Sequence, residues 1–267
     1  MDGSQYSLAQ FAYRFSEINP PMQHLLSVVI AIKDNTSALI KTLASLSELD
    51  SCNASFEVLV MNGGTELLKE EIAKQPYSIT ITNEVDEGIY DAWNKGLGLA
   101  EGEFVAFLGA GDCVRPNYFK EMSALSAKCR DSDLLLCRQL QWLPNGRVLR
   151  EFGHHWNWNA FQRNFTIPHI GCWHKRKLFQ TFGNFDIHYK VCGDYEWLLR
   201  VGAQLRVEYT SAVLLDVPVG GVSDSSEQVF KETRLARKTH TRASSINLIY
   251  HDVAYRARKS IRKLFWG

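Results

Sequence analysis

The amino-acid sequence predicts an α/β fold built on a doubly wound, mostly parallel sheet, and three features carry that prediction. Runs of consecutive apolar residues recur at 25–32, 56–61 and 104–108, the pattern of strands buried on both faces. Segments with helical apolar spacing alternate with them, as in Leu39, Ile40, Leu43 and Leu46. Each run ends in small or polar residues: Lys33-Asp34-Asn35, Asn62-Gly63-Gly64 and Gly109-Ala110-Gly111-Asp112. Open α/β sheets bind ligands at such carboxyl ends.

Residues 1–24 carry no clear periodicity and are expected to form an N-terminal extension. After the first strand, Asn35 or Thr36 can cap a helix. The second strand leads through Asn62-Gly63-Gly64 into a helix to about 74 and a third strand at 78–82. Gly88-Ile89-Tyr90-Asp91 opens a helix to about 100, and Glu101-Gly102-Glu103 turns the chain into the strand at 104–108. Beyond Asp112 the alternation weakens. A helix from Pro116 to about 128 and a strand at 133–138 precede a hairpin over 142–150 that turns on Pro144-Asn145-Gly146. The stretch 152–175, rich in His, Trp, Phe and Asn, is expected to wall a polar-ligand site. A helix at 194–202, one or two strands within 204–217 and a flexible Gly220-Gly221-Val222-Ser223 loop lead to a basic helical tail over 226–267.

The formal net charge of +1 conceals an asymmetry. Residues 227–267 hold ten Lys/Arg against three Asp/Glu, which leaves the body acidic. These cations alternate with Ile246, Leu248, Ile249, Leu264, Phe265 and Trp266, a pattern suited to an anionic membrane surface. A helix packed on the domain, or an oligomer contact, fits the same pattern. The acidic body and the lack of a recognisable module argue against nucleic acid. Six cysteines without C-x-x-C spacing read as reduced core thiols of a cytosolic protein. No signal peptide is expected, and the apolar runs fall far short of the ~20 residues of a membrane span. The expected location is cytoplasmic, peripheral on the inner face of the cell membrane.

Asp112 is the first candidate for chemistry. A hard Mg²⁺ or Mn²⁺ needs only one or two carboxylates beside phosphate oxygens, so a strand-end aspartate with small neighbours suits a metal that accompanies a nucleotide. A plain turn aspartate is the alternative. Asp34, Asn62 and Asp86 stand at other strand ends of the same sheet. Asp91 and Lys95 lie four apart on one helix face, which also describes an ordinary ion pair. Asp194 opens a helix, where the dipole favours a carboxylate in any case. His154-His155 lacks zinc-ligand spacing.

Taken in order, D-E-G-I-Y-D-A-W-N-K-G (86–96), E-G-E-F-V-A-F-L-G-A-G-D (101–112), P-H-I-G-C-W-H-K-R-K-L-F (168–179), F-G-N-F-D-I-H-Y-K-V-C-G-D-Y-E-W-L-L-R (182–200) and G-G-V-S (220–223) resemble the inverting family-2 glycosyltransferases of the GT-A fold. The likeness is to the bacterial branch that builds colanic-acid, exopolysaccharide and O-antigen-type glycans. It spans about 25–225 and implies a nucleotide-sugar half (25–115), an irregular acceptor half (116–225) and a C-terminal helical tail. The resemblance implies metal-assisted transfer of a sugar from a nucleotide-diphosphate sugar to a hydroxyl of a growing glycan or lipid-linked acceptor. It sets Asp34, Asn62, Asp86, Asp91 and Lys95 around the donor, and Asp112 on the metal. Asp194 becomes the catalytic base, with Glu196 as a fallback. His169 and Ser223 fall near the acceptor or the diphosphate, though a packed structural His169 fits as well. Two departures stand out: Asn62 replaces the family's usual Asp, and only the last aspartate of the metal motif is present. They keep open a decayed nucleotide-sugar-binding scaffold; a nucleotidyltransferase is the other alternative.

Overall fold

The computed structural model describes residues 24–47, 55–64, 72, 75–220 and 226–241. Strand β1 (Leu26–Ile32) is followed by helix α1 (Thr36–Ser47), β2 (Phe56–Asn62) and β3 (Ser78–Asn83). Then come α2 (Ile89–Leu99), β4 (Phe104–Gly109), a short β5 (Cys113–Val114) and α3 (Tyr118–Lys128). The second half contains β6 (Leu134–Trp142), β7 (Val148–Phe152), α4 (Trp158–Phe161), β8 (Trp173–Lys175), α5 (Arg176–Phe182), α6 (Gly193–Val201), β9 (Val207–Pro218) and α7 (Ser226–His240).

Among the described residues these strands make one nine-stranded sheet in the order β3-β2-β1-β4-β8-β6-β9-β5, with β7 on β6. The first four run parallel, and β8 turns the sheet antiparallel between β4 and β6. The chain winds outward from β1 to β3 and then crosses back to place β4 on the other side of β1. The β1/β4 boundary is therefore a topological switch point, the crevice where α/β sheets take ligands.

Alternation along each strand fills a core on both faces. Val29, Leu59, Val105 and Phe107 pack under α2 and α6, whereas Val28, Ile30, Val58, Ala106 and Leu108 pack with α1 and α3. Because both faces are covered, these strands read as continuous apolar runs.

Several expectations shift. Thr42, not Ile40, completes the buried face of α1, since it lies one turn from Leu39 while Ile40 is rotated into solvent. The expected strand at 133–138 continues through 142, because Gln139–Trp142 keep pairing with both β7 and β9. Within the aromatic stretch 152–175, Phe161, His169, Trp173 and His174 are buried, with Phe161 packed on Trp156 at 4.8 Å and on Tyr195 at 5.1 Å, whereas His154 and His155 are exposed and Phe152, Trp156, Trp158 and Phe165 half-buried. The tail begins as α7, whose Ala236, Glu232 and Arg237 are buried and whose Arg237 Nε donates to Tyr195 Oη at 3.0 Å. Residues 1–23, the helix expected up to 74 (apart from Ile72), Ser223 and residues 242–267 lie outside the described residues. No helix among the described residues is long and apolar enough to cross a membrane.

Candidate active site

The carboxyl ends of β1, β2, β3 and β4 converge around the switch point. Gly63 N donates to Ile32 O at 3.0 Å, Ala110 N to Ala31 O at 3.1 Å and Glu84 N to Asn62 O at 3.0 Å, so the four strand exits are tied side by side. Asp34 leaves β1 with a left-handed backbone, φ 54°, a conformation that aspartate tolerates better than most residues. The absence of side chains at Gly63 and Gly64 lets two carboxylates close in. A Cβ at Gly63 would lie 1.7 Å from Asp86 Oδ2, and one at Gly64 would lie 2.4 Å from Asp34 Oδ1. Asp86 also accepts from Gly88 N at 3.0 Å, which shapes the turn into α2.

Asn62 ties the strand ends together. It is 1% exposed, its Nδ2 donates to Asn83 Oδ1 at 2.8 Å, and its Oδ1 accepts from Gly64 N at 3.1 Å. The amide thus locks β2 to β3 and holds the glycine turn beside Asp34 and Asp86.

Asp112 closes the turn after β4. Its Oδ2 accepts from Gly109 N at 2.7 Å, and Gly111 N donates to Thr42 Oγ1 at 2.8 Å, which pins the turn to α1. The carboxylate is 7% exposed, and burial raises its pKa to about 7. Among the described residues no three His, Cys, Asp or Glu converge as a metal cluster. One carboxylate with a raised proton affinity suits a hard cation that arrives with phosphate oxygens, and it does not suit a metal held by protein alone. Pro218, at the end of β9, stands 3.5 Å from where a Gly111 Cβ would lie, so β9 ends beside this turn.

Asp194 comes to the same side through Tyr90. The Tyr90 hydroxyl lies 2.8 Å from Val191 O and 3.0 Å from Asp194 Oδ1, which also accepts from Tyr195 N at 2.8 Å. Gly193 makes room for this contact, since a Cβ there would meet the Tyr90 ring at 2.9 Å. Both of these hydrogen bonds fall on Oδ1. Burial raises the Asp194 pKa to about 6, against the opposing effect of these bonds. Glu196 is held elsewhere, bonded to Arg200 at 2.8 Å and to His240 at 2.7 Å.

Helix α2 joins the two halves. On one side Asp91 Oδ2 accepts from Glu87 N at 3.0 Å, while Lys95 donates to Val85 O at 2.6 Å and pairs with Glu84 at 2.9 Å and Asp91 at 3.4 Å. On the other side Asn94 exchanges two hydrogen bonds with the backbone of Phe185, at 2.9 and 3.0 Å. Asp91 and Lys95 therefore hold the Asp86 turn, and Tyr90 and Asn94 hold the segment that leads to Asp194.

His169 packs beside α2 and β4. It is 3% exposed, stacked on Trp93 at 5.3 Å and on Phe107 at 5.4 Å, and neither ring nitrogen has a partner among the described residues. Burial, with His174 beside it, drives its pKa well below the ordinary value, so it is a neutral core ring. A cleft of about 600 Å³ lies between α6, α7 and residues 184–189, lined by Asp186, Glu196, Arg200 and His240. It includes none of the strand-end carboxylates.

A mixed sheet whose parallel strands end in acidic turns at a switch point, facing a helix-borne aspartate, defines a GT-A-type α/β protein. The crystal structure of S. aureus TarS residues 1–349 superposes with a TM-score of 0.65 at 17% identity, covering 86% of this chain and 72% of that one. The match is 43% of the longer TarS chain. The mannosyltransferase PcManGT from Pyrobaculum calidifontis, solved with GDP-Man and Mn²⁺, superposes with a TM-score of 0.53 at 14% identity over 94% of this chain and 71% of that one. Residues 27–183 match the family model of glycosyl transferase family 2, and the chain belongs to that family of glycosyltransferases. A PGL/p-HBAD biosynthesis glycosyltransferase of Mycobacterium bovis is 26% identical over 188 residues, 66% of this chain and 69% of that protein. The putative glycosyltransferase EpsH of Bacillus subtilis is 30% identical over 117 residues, 42% of this chain and 33% of its own length.

Proposed function

We propose that the chain transfers a sugar, with inversion, from a nucleotide-diphosphate sugar to a hydroxyl of a surface-glycan or lipid-linked acceptor. The observation that carries this reading is the convergence of Asp34, Gly63-Gly64, Asp86 and Asp112 at the switch point, with Asp194 joined to the same turn by Tyr90. Asp34 and Asp86, seated against Gly64 and Gly63, orient the donor. Asp112 is the residue that would hold a divalent cation, Mn²⁺ or Mg²⁺, which when bound supplies positive charge against the diphosphate. Asp194 Oδ2 takes the acceptor proton as the acceptor oxygen bonds the anomeric carbon. The bond from that carbon to the diphosphate oxygen breaks, and its electron pair leaves with the diphosphate. The complexes of TarS with UDP-GlcNAc and of PcManGT with GDP-Man support a nucleotide-sugar donor. The name of the mycobacterial relative supports a glycoconjugate acceptor.

Incubation with a panel of UDP-, GDP- and dTDP-sugars and Mn²⁺ tests the reading. Release of a nucleoside diphosphate from one of them is expected. Neither release nor binding of any donor sinks it. In the active case Asp194→Asn should abolish release and leave donor affinity within about twofold, since the base acts on the acceptor.

A further inference from the structure

The geometry points to Glu232, on α7, as a positioning residue for Asp194. Its carboxylate is 4% exposed and collects three backbone N–H groups from the segment before α6: Lys190 N on Oε1, and Val191 N and Cys192 N on Oε2, each at 2.8 Å. Gln228 Nε2, one turn back on α7, donates a fourth bond to Oε1 at 2.8 Å. No described carboxylate receives more backbone donors. Hydrogen bonds between a carboxylate and backbone amides are charge-assisted and short, so together they fix the path of residues 190–192.

That path leads directly to Asp194. Cys192 precedes the first turn of α6, and the carbonyl of Val191 receives the Tyr90 hydroxyl that also reaches Asp194 Oδ1. Lys190 extends the tie toward the donor side, its Nζ donating to Glu87 O at 3.0 Å in the Asp86 turn. Glu232 thus holds from behind a segment that Tyr90 and Lys190 hold from the front. A bond to the backbone leaves the side chain of Asp194 free to act, and it sets the direction in which Oδ2 points. Glu232 lies 38 positions beyond Asp194, outside the 27–183 family match.

This role rests on the proposed function, in which Asp194 is the base, and the test separates the two. Full-length Glu232→Ala, Glu232→Gln and Asp194→Asn are compared with the wild type by amide hydrogen exchange and by nucleoside-diphosphate release from the UDP-, GDP- and dTDP-sugar panel with Mn²⁺. Glu232→Ala should expose the amides of residues 190–192 to exchange while those of β1 and β4 stay protected. Its kcat should fall by roughly 10- to 100-fold, the scale of a small misplacement, with donor affinity within about twofold. Glu232→Gln keeps one acceptor oxygen and should fall between Glu232→Ala and the wild type in both readouts. Unchanged protection at 190–192 overturns the role by itself. So does full turnover by both Glu232 variants while Asp194→Asn is inactive. If Glu232→Ala loses protection throughout the sheet, the Gln variant decides: local exposure with reduced kcat supports the role, and wild-type kcat overturns it. Full turnover by Asp194→Asn, or an inactive wild type, overturns the proposed function first and this role with it.

Discussion

A base that accepts a proton from a sugar hydroxyl must be ionised, and it works best when its proton affinity is raised toward the working pH. Asp194, lifted to about 6 by burial, meets both conditions. With donor and Mn²⁺ saturating, kcat should fall about tenfold per unit below pH 6 and level off above it. The Tyr90 hydroxyl opposes the shift by donating to the ionised carboxylate, so Tyr90→Phe should move the acidic limb upward by roughly one pH unit. A pH–kcat profile of the two proteins checks this, and coincident limbs would separate Tyr90 from the ionisation. Asp112 lends itself to a stability measurement. The folded protein keeps its proton up to about pH 7 against 3.8 for the ordinary carboxyl, so folding stability is lost as pH rises through that window. Asp112→Asn removes the cost. It should raise Tm at pH 8, by the equivalent of about 1–3 kcal/mol, with little gain at pH 4, and it should abolish Mn²⁺-dependent donor binding. The ordered motifs of the family resemblance singled out both carboxylates, because motif order survives without coordinates. It could not place Asn62 or His169, since whether an amide or imidazole meets ligand or core depends on neighbours such as Asn83, Trp93 and Phe107.

At the scale of elements, α2 does two jobs with one face each, and the glycine turn after β2 serves the donor side. Gly63 lies outside the left-handed region, so its backbone accepts alanine, but the new methyl would occupy the space of Asp86 Oδ2. Gly63→Ala should therefore push Asp86 out of place and weaken donor binding by about tenfold or more, with a small change in Tm. Gly96→Ala gives the contrast. There the methyl would lie 2.3 Å from Val29 Cγ1 in the core, and the expected loss is stability, about 1–3 kcal/mol of overpacking. Calorimetric donor titration and thermal melts of both variants distinguish the two effects, and equal losses in both would remove the special role of the turn. Strands β1, β2 and β4 and most of the α1 face were legible because burial on two faces leaves continuous apolar runs and burial on one face leaves a helical period, whereas β5 and β8 are too short to leave either. The exchange of Ile40 for Thr42 was not, because Thr42 is buried by its bond with Gly111, a contact made across 69 positions.

For the whole molecule the question is how an acidic catalytic body meets its acceptor. Helix α7 belongs to the fold: it packs on α6, and Arg237 and His240 reach Tyr195 and Glu196. Its cations are thus partly committed to the protein, and the membrane expectation passes to residues 242–267. Those residues hold Arg242, Arg256, Arg258, Lys259, Arg262 and Lys263 against the single acid Asp252, with Leu264, Phe265 and Trp266 following. We propose that this segment draws the enzyme to an anionic surface where a lipid-linked acceptor is presented. Each cation near such a surface contributes about 1 kcal/mol, an attraction that salt screens. Replacing Arg256, Arg258, Lys259, Arg262 and Lys263 by Gln in the full-length chain should lower binding to vesicles containing phosphatidylserine by about 100-fold or more at low salt. Release of nucleoside diphosphate from a soluble donor should stay unchanged, because no residue of the donor turns is touched. Sedimentation with anionic and with purely zwitterionic vesicles measures it. If the wild type binds both vesicles equally, or the variant binds as the wild type does, the attraction is not electrostatic. The tail would then act as a further packed element or a contact between copies, which sedimentation equilibrium of the same two proteins would reveal.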